Sequence, residues 1–287
     1  MYQGKRSGAA GTDARQDSAE KAPKERRSAQ TARKASSGKR IRTEAILFYT
    51  SIVLLLLAVV FLLAFVKEFR AYKAADRYYE QLADEVEQDR SDEVIFTSRV
   101  NFAPLNEKNP DIAAWLSVPG LSLSLPVTWC GDNQTYLHKA FDGSENRNGC
   151  LFLSARATPD FSGCYQVIYG HHIHSGSMFG SLANYKDRAF WEQYPTFMLY
   201  TPQGDYTCTV FSCYRTVDQT DVYRVDWERD EDYAAFLDRI REASIYDTGI
   251  AIPDDAHVLT LSTCDSAYSG QTKRFVVHAV MESLPGL

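Results

Sequence analysis

The chain has 287 residues, 45% of them hydrophobic, enough for one sizeable core plus appendages. Its net charge of −6 is split unevenly: residues 1–42 carry 12 Lys/Arg and 4 Asp/Glu, the remainder 19 and 33. A basic arm can mark a nucleic-acid partner, but an apolar span follows this one, so the arm reads as a topology signal and nucleic acid is excluded as a partner.

Residues 1–42 are rich in Ser, Ala, Lys, Arg and Gln and nearly devoid of large apolar side chains, so they are expected to be disordered. From Ala45 to Val66 no charge occurs in 22 residues. At about 1.5 Å per residue a helix of that length spans a bilayer. Residues 43–66 are therefore expected to form a single transmembrane anchor. A cleaved signal peptide has a shorter apolar region and a small-residue cleavage site, whereas Lys67-Glu-Phe-Arg70 follows here. The basic flank puts the N-terminus in the cytoplasm and the acidic bulk outside the cell. Residues 67–104 read as a helical stalk or N-terminal helices, with Phe69, Tyr72, Tyr79, Leu82 and Val86 at near-helical spacing.

From Leu105 the texture changes to short β-type runs separated by Gly, Pro, Asn and Asp. The runs are residues 113–118, 123–128, 149–153, 166–170, 196–201, 205–214, 257–263 and 274–280. Eight short strands predict a mainly β fold, a closed barrel or sandwich, over residues 105–287. Two helical interruptions are expected, near 179–193 and over 230–243, the second with Asp230 as N-cap and Tyr233, Phe236, Leu237 and Ile240 on one face. All six cysteines lie after residue 129, with no disulfide-framework or zinc spacing. Cys208 and Cys213, five apart on one strand, are expected on opposite faces. Cys130, Cys150, Cys164, Cys208 and Cys213 read as mostly buried free thiols.

Chemistry-bearing residues sit at strand ends. The run from Val258 ends on Cys264, and after a polar turn Arg274 opens the returning strand. A thiolate beside a fixed cation has a lowered pKa and attacks carbonyls. An arginine, always protonated, can hold the resulting oxyanion. Lys273 faces the other side by alternation. A third strand end carries His171, His172 and His174. Any of them can serve as acid/base, and no Cys, Asp or Glu joins them at metal-ligand spacing. Asp265 suggests a Cys-His-Asp triad, yet neighbouring strand residues face apart, so it reads as a groove or structural residue. Ser262 shares the face of Cys264.

Thr260-Leu-Ser-Thr-Cys264 resembles the T-L-x-T-C motif of sortases, and Tyr169-Gly-His171 with Met178-Phe-Gly-Ser-Leu182 resembles the Y-G-H…M-F-x-x-L segment of class B sortases. The short interval from Cys264 to Arg274 also resembles class B. The likeness covers roughly residues 105–281. It implies an eight-stranded sortase-type barrel with inserted helices, class B having one before the penultimate strand. It selects His171 as the general acid/base, Cys264 as nucleophile and Arg274 as oxyanion stabiliser. Asn133-Gln-Thr-Tyr-Leu137 resembles the N-x-x-Y-L segment that contacts the sorting peptide, making Asn133, Leu137 and Tyr169 substrate-binding candidates beside Ser262 and Asp265. Helix capping for Asn133 and core packing for Leu137 are the competing readings.

The implied activity is that of a membrane-anchored cysteine transpeptidase outside a Gram-positive cell. Cys264 would cleave a C-terminal sorting motif, of the N-P-x-T or a related type, after its threonine. The resulting thioester would pass to an amine on a lipid-linked peptidoglycan precursor or to a pilin lysine. Neither metal nor organic cofactor is expected. The alternatives are a cysteine hydrolase or protease of the cell envelope, whose usual members place Cys before His and use Asn or Asp as the third member, and a non-catalytic membrane-anchored binding module.

Overall fold

Eight strands close on themselves in the order β1-β2-β3-β4-β7-β8-β6-β5. The protein's structure is a computed structural model that describes residues 21–88, 98–173, 175–264 and 273–284, with Cys264 described by its backbone. The chain divides into two units, Met1–Glu68 and Phe69–Leu287.

Helix α1 spans Lys21–Gln88 and begins in the first unit. Ala, Lys, Arg, Gln and Glu, frequent over residues 21–42, are strong helix formers. From Thr43 the helix is long and apolar enough to cross a membrane. Its large side chains, such as Leu54 and Phe61, are exposed all round. A helix apolar on every face has no polar side to offer water.

In the second unit the end of α1 docks against the barrel. Ala75, Tyr79, Leu82 and Val86 are buried, and the Tyr79 hydroxyl donates to Gly149 O at 2.7 Å. Of the predicted stripe, Phe69 stays exposed, while Tyr79, Leu82 and Val86 are buried. Helix α2 (Phe102–Lys108) is capped by Asn101 and runs across the expected domain boundary at 104/105.

The strands are β1 (Ile112–Val118), β2 (Leu123–Thr128), β3 (Leu151–Leu153), β4 (Tyr165–Gly170), β5 (Thr196–Thr201), β6 (Gly204–Val217), β7 (Val258–Cys264) and β8 (Lys273–Ser283). Each coincides with a predicted run to within a few residues. Helix α3 (Arg188–Gln193), preceded by a 3₁₀ turn at Leu182–Lys186, lies in the first expected helical interruption. Helix α4 (Glu231–Glu242) lies in the second, immediately before β7. β7 is the penultimate strand, so the closed barrel with a helix at that point agrees with the expected architecture.

Most neighbours pair antiparallel, but β2/β3 and β4/β7 pair parallel. The β4/β7 pair decides where the site forms. Tyr165 faces Val258 at one end and Gly170 faces Thr263 at the other, so both strands finish at the same rim. β8 starts from that rim, antiparallel to β7.

β6 carries a bulge between Val210 and Ser212. The extra residue reverses the alternation beyond it. Cys208 and Cys213, opposite Met281 and Val277, therefore share a face, which corrects the expectation that they point apart. Four register steps, about 13 Å, separate them, too far for a bridge. Cys130, Cys150, Cys164, Cys208 and Cys213 are free, all but Cys130 buried.

Helix α4 closes one side of the barrel through an aromatic cluster. Phe236 meets Tyr165 edge-on at 5.1 Å and stacks on Trp227 at 4.5 Å. The Tyr233 hydroxyl donates within reach of Cys164 O and Ala256 O, tying the helix to the start of β4 and the approach to β7. Asp230 Oδ1 accepts from Tyr233 N at 3.0 Å, as an N-cap should. Asp230→Ala is expected to remove about 1 kcal/mol of stability. Thermal unfolding should then fall by about 2–4 °C.

His278 is fully buried in the middle of β8. Its Nδ1 lies 2.8 Å from Thr260 Oγ1, and its ring packs on Tyr214. Burial lowers its pKa from the ordinary 6.5 to about 3. The folded chain keeps this imidazole neutral while the unfolded chain takes up a proton below pH 6.5. Stability must therefore fall as pH drops from about 6.5 towards 3. His278→Gln should flatten that part of the stability-versus-pH curve, as measured by denaturant unfolding from pH 7 to pH 4.

Candidate active site

Glycine at position 170 lets the site form. A Cβ there would meet Leu151 Cδ2 and Phe179 Cδ2 at 2.6 Å, so only a bare α-carbon fits between them. The next residue, His171, leaves β4 at the common rim. Its Nε2 lies 2.7 Å from Leu137 O. A carbonyl only accepts, so Nε2 carries the hydrogen. Nδ1 is left to accept a proton, or to donate one from the imidazolium. His138 stacks over the same ring, with centroids 6.2 Å apart.

The carbonyl that orients His171 belongs to a short 3₁₀ turn, Thr135–Leu137. Asp132 holds the entry to this turn through Gln134 N, Thr135 N and the Thr135 hydroxyl. Those three donors hold its carboxyl down at about 2, well below the usual carboxylate range. Asn133 Oδ1 accepts from Ala155 N at 2.8 Å, fastening the turn to the segment beyond β3. Asn133 is thus a loop tie and caps no helix. Leu137 is half-buried: it packs on the core and also lines the groove.

β7 and β8 supply the opposite wall. Cys264 pairs directly with Arg274, and Ser262 with Val276. Directly opposed residues share a face, so the register puts Arg274, and not Lys273, on the side of Cys264. The Arg274 guanidinium is about one-quarter exposed and lies 3.8 Å from Asp218 Oδ2. Asp218 follows the last residue of β6, and Val217 faces Lys273 across the sheet. Ser262 is buried, its Oγ 3.0 Å from the Tyr223 hydroxyl. Tyr223 in turn stacks on Tyr169 at 6.0 Å. Burial pushes both phenols up, so they work as neutral hydrogen-bonding groups.

These residues line one groove of about 360 Å³. Of the predicted set, it brings together Asn133, Leu137, Tyr169, His171, Ser262 and Arg274. Cys264 reaches the same rim by register. Asp265 and His174 lie outside the described residues. Asp218, Tyr223, His138 and Phe152 were not legible in advance. Asp218 and Tyr223 lie in the connection after β6, far from any motif, and only the β6/β8 pairing brings that connection to the rim. Tyr136-Leu137-His138 was a weak signal for His138, adjacent to a residue already singled out.

Set in this geometry, the comparisons agree with one another. The family profile described as Sortase domain matches residues 116–282. Staphylococcus aureus sortase B is 34% identical over 181 residues, covering 63% of this chain and 74% of the relative. The Staphylococcus aureus sortase B–substrate complex superposes with a TM-score of 0.69 at 30% identity, covering 74% of this chain and 98% of that one. Sortase B from Bacillus anthracis in complex with AAEK1 superposes with a TM-score of 0.67 at 28% identity, covering 75% and 100%. The chain belongs to the sortase family, and its likeness to sortase B proteins makes it a class B-type cysteine transpeptidase.

Proposed function

We propose that this transpeptidase is held in the membrane by the helix over residues 43–66, with its basic arm in the cytoplasm and residues 105–287 outside the cell. Cys264 is its nucleophile, His171 its proton carrier and Arg274 its oxyanion stabiliser. The observation that carries the reading is the Cys264–Arg274 register pair at the same rim as His171, on one groove.

In the first half-reaction the Cys264 thiolate attacks the carbonyl of the threonine in a C-terminal sorting motif. The tetrahedral oxyanion is held by the Arg274 guanidinium. Collapse forms the thioester, and His171 gives a proton from Nδ1 to the leaving amine. In the second half an amine on a lipid-linked cell-wall precursor, or a pilin lysine, attacks the thioester. Neutral His171 takes up its proton, and the thiolate leaves. Splitting one amide exchange in two gives each step a lower barrier than direct exchange. Tethering enzyme, substrate and acceptor to one surface raises their effective concentration.

The test is a panel of N-P-x-T-x, S-P-x-T-x and L-P-x-T-x peptides, each with and without a glycine or diaminopimelate-like amine. Intact-mass spectrometry should find an acyl adduct on Cys264 and an amine-exchanged product. Hydrolysis at a rate indifferent to added amine would instead indicate an envelope hydrolase. Among the histidines, His171→Ala should lower turnover by about 10²–10⁴-fold, and His172→Ala should stay within a few-fold of wild type. A dead His172→Ala beside an active His171→Ala would reverse the assignment.

A further inference from the structure

We propose that Asp76, on the barrel-bound end of α1, is a positioning residue for His171, acting through Ser177 and Asn148. The inference rests on the reading of His171 as the proton carrier.

The loop that carries His171 is a closed unit. Phe179 N donates to His171 O at 3.0 Å, and His172 bridges Met178. Gly180 N returns to Ser177 O at 2.9 Å, and the Ser181 hydroxyl donates to Gly176 O. A Cβ on Gly180 would fall 2.0 Å from Ile173 O, so backbone meets backbone across the loop. Met178 is buried with φ 52, in the left-handed region that long side chains rarely adopt. Among the described residues, these bonds couple Ser177 to His171 through the backbone. Whatever holds Ser177 therefore sets where His171 stands.

Asp76 holds Ser177. The Ser177 hydroxyl donates to Asp76 Oδ1 at 2.6 Å, a short charge-assisted bond. The same oxygen accepts from Asn148 Nδ2 at 3.3 Å. Asn148 is buried in the segment leading to β3. Two residues on, Cys150 N donates to Tyr136 O, within the turn whose Leu137 carbonyl fixes His171 Nε2. Gly149, with φ +62 and a virtual Cβ 2.5 Å from Tyr136 O, seats that segment against the turn. One carboxylate oxygen thus ties both the loop bearing the imidazole and the segment behind its hydrogen-bond acceptor. One helical turn on, Tyr79 bonds Gly149 O and fixes Asp76 in place.

The full chain in detergent would be assayed with the peptide that acylates Cys264 in the panel above. Asp76→Ala and Ser177→Ala are each expected to lower kcat about 10-fold, with KM within about twofold, because misplaced groups cost rate more than binding. The double variant should be no slower than either single one, and Ser177→Thr should restore the rate. A raised KM with unchanged kcat, or additive losses in the double variant, would overturn the proposal. If His171→Ala is inactive while Asp76→Ala and Ser177→Ala keep wild-type kcat, this inference alone fails. If His171→Ala is active, the histidine assignment fails first, and this inference with it. A readout independent of substrate is C2 hydrogen–deuterium exchange of the imidazoles by mass spectrometry. His171 should exchange at least about twofold faster in Ser177→Ala, with His278 unchanged as the internal control. An unchanged His171 rate overturns the positioning role.

Discussion

Replacing Cys264 with alanine is expected to abolish the acyl-enzyme and lower turnover by on the order of 10⁴-fold or more, as loss of a covalent nucleophile does elsewhere. The size of the effect follows from the lack of a second competent thiol. Cys150 and Cys208 are fully buried, and burial pushes the Cys150 thiol up to about 12 and the Cys208 thiol higher still. Burial raises Cys164 and Cys213 as well. A thiol that stays protonated attacks carbonyls poorly. Cys130 is half-buried in the segment after β2 and is no part of the β7/β8 register that pairs Cys264 with Arg274. The variant should fold, since Cys264 ends its strand and alanine needs no new space. Unfolding temperature would be measured beside acylation by intact mass. A folded Cys264→Ala protein that still exchanges amines at more than a trace rate would falsify the covalent reading.

Arg274→Lys is the second large effect, an expected loss of about 10²–10³-fold in kcat, the range seen on removing one oxyanion donor. Charge is conserved in this change, so the loss isolates geometry. A guanidinium presents a planar fork that can bond Asp218 and a substrate oxygen at once, whereas an ammonium is a compact point charge. The fork is held here: Arg274 Nη2 lies 3.8 Å from Asp218 Oδ2 and Nη1 donates to Lys273 O at 3.4 Å. The swap Lys273→Arg/Arg274→Lys tests direction as well as identity. Alternation turns residue 273 to the other face, so the swapped arginine should fail to rescue. Single-turnover acylation, followed separately from amine exchange, would show whether the loss falls on the oxyanion step. Equal activity of the swap and the wild type would mean that position 274 contributes charge alone.

Much of the fold was legible from local pattern. The eight β-type runs, the Asp230 cap and the face of Tyr233, Phe236, Leu237 and Ile240 all follow from side-chain periodicity, which is a property of neighbours in sequence. The region from Thr43 carried its membrane-length apolar signal for the same reason. The Cys208/Cys213 alternation failed at the bulge after Val210, where backbone geometry changed without any mark in residue type.

The sequence by itself marked the candidates for the chemistry: a thiol, a guanidinium and an imidazole, each at the end of a β-type run. Only the tertiary structure decided that those strand ends share one rim. The parallel β4/β7 pair carries its chain through β5, β6 and α4 between its two strands, and it sets His171 and Cys264 at one rim. The Leu137 carbonyl, Asp218 and the Tyr223–Ser262 bond come to that rim from segments dozens of residues away. Such contacts are long-range. They are selected by how the closed barrel buries its apolar faces, and no window of neighbouring residues contains them.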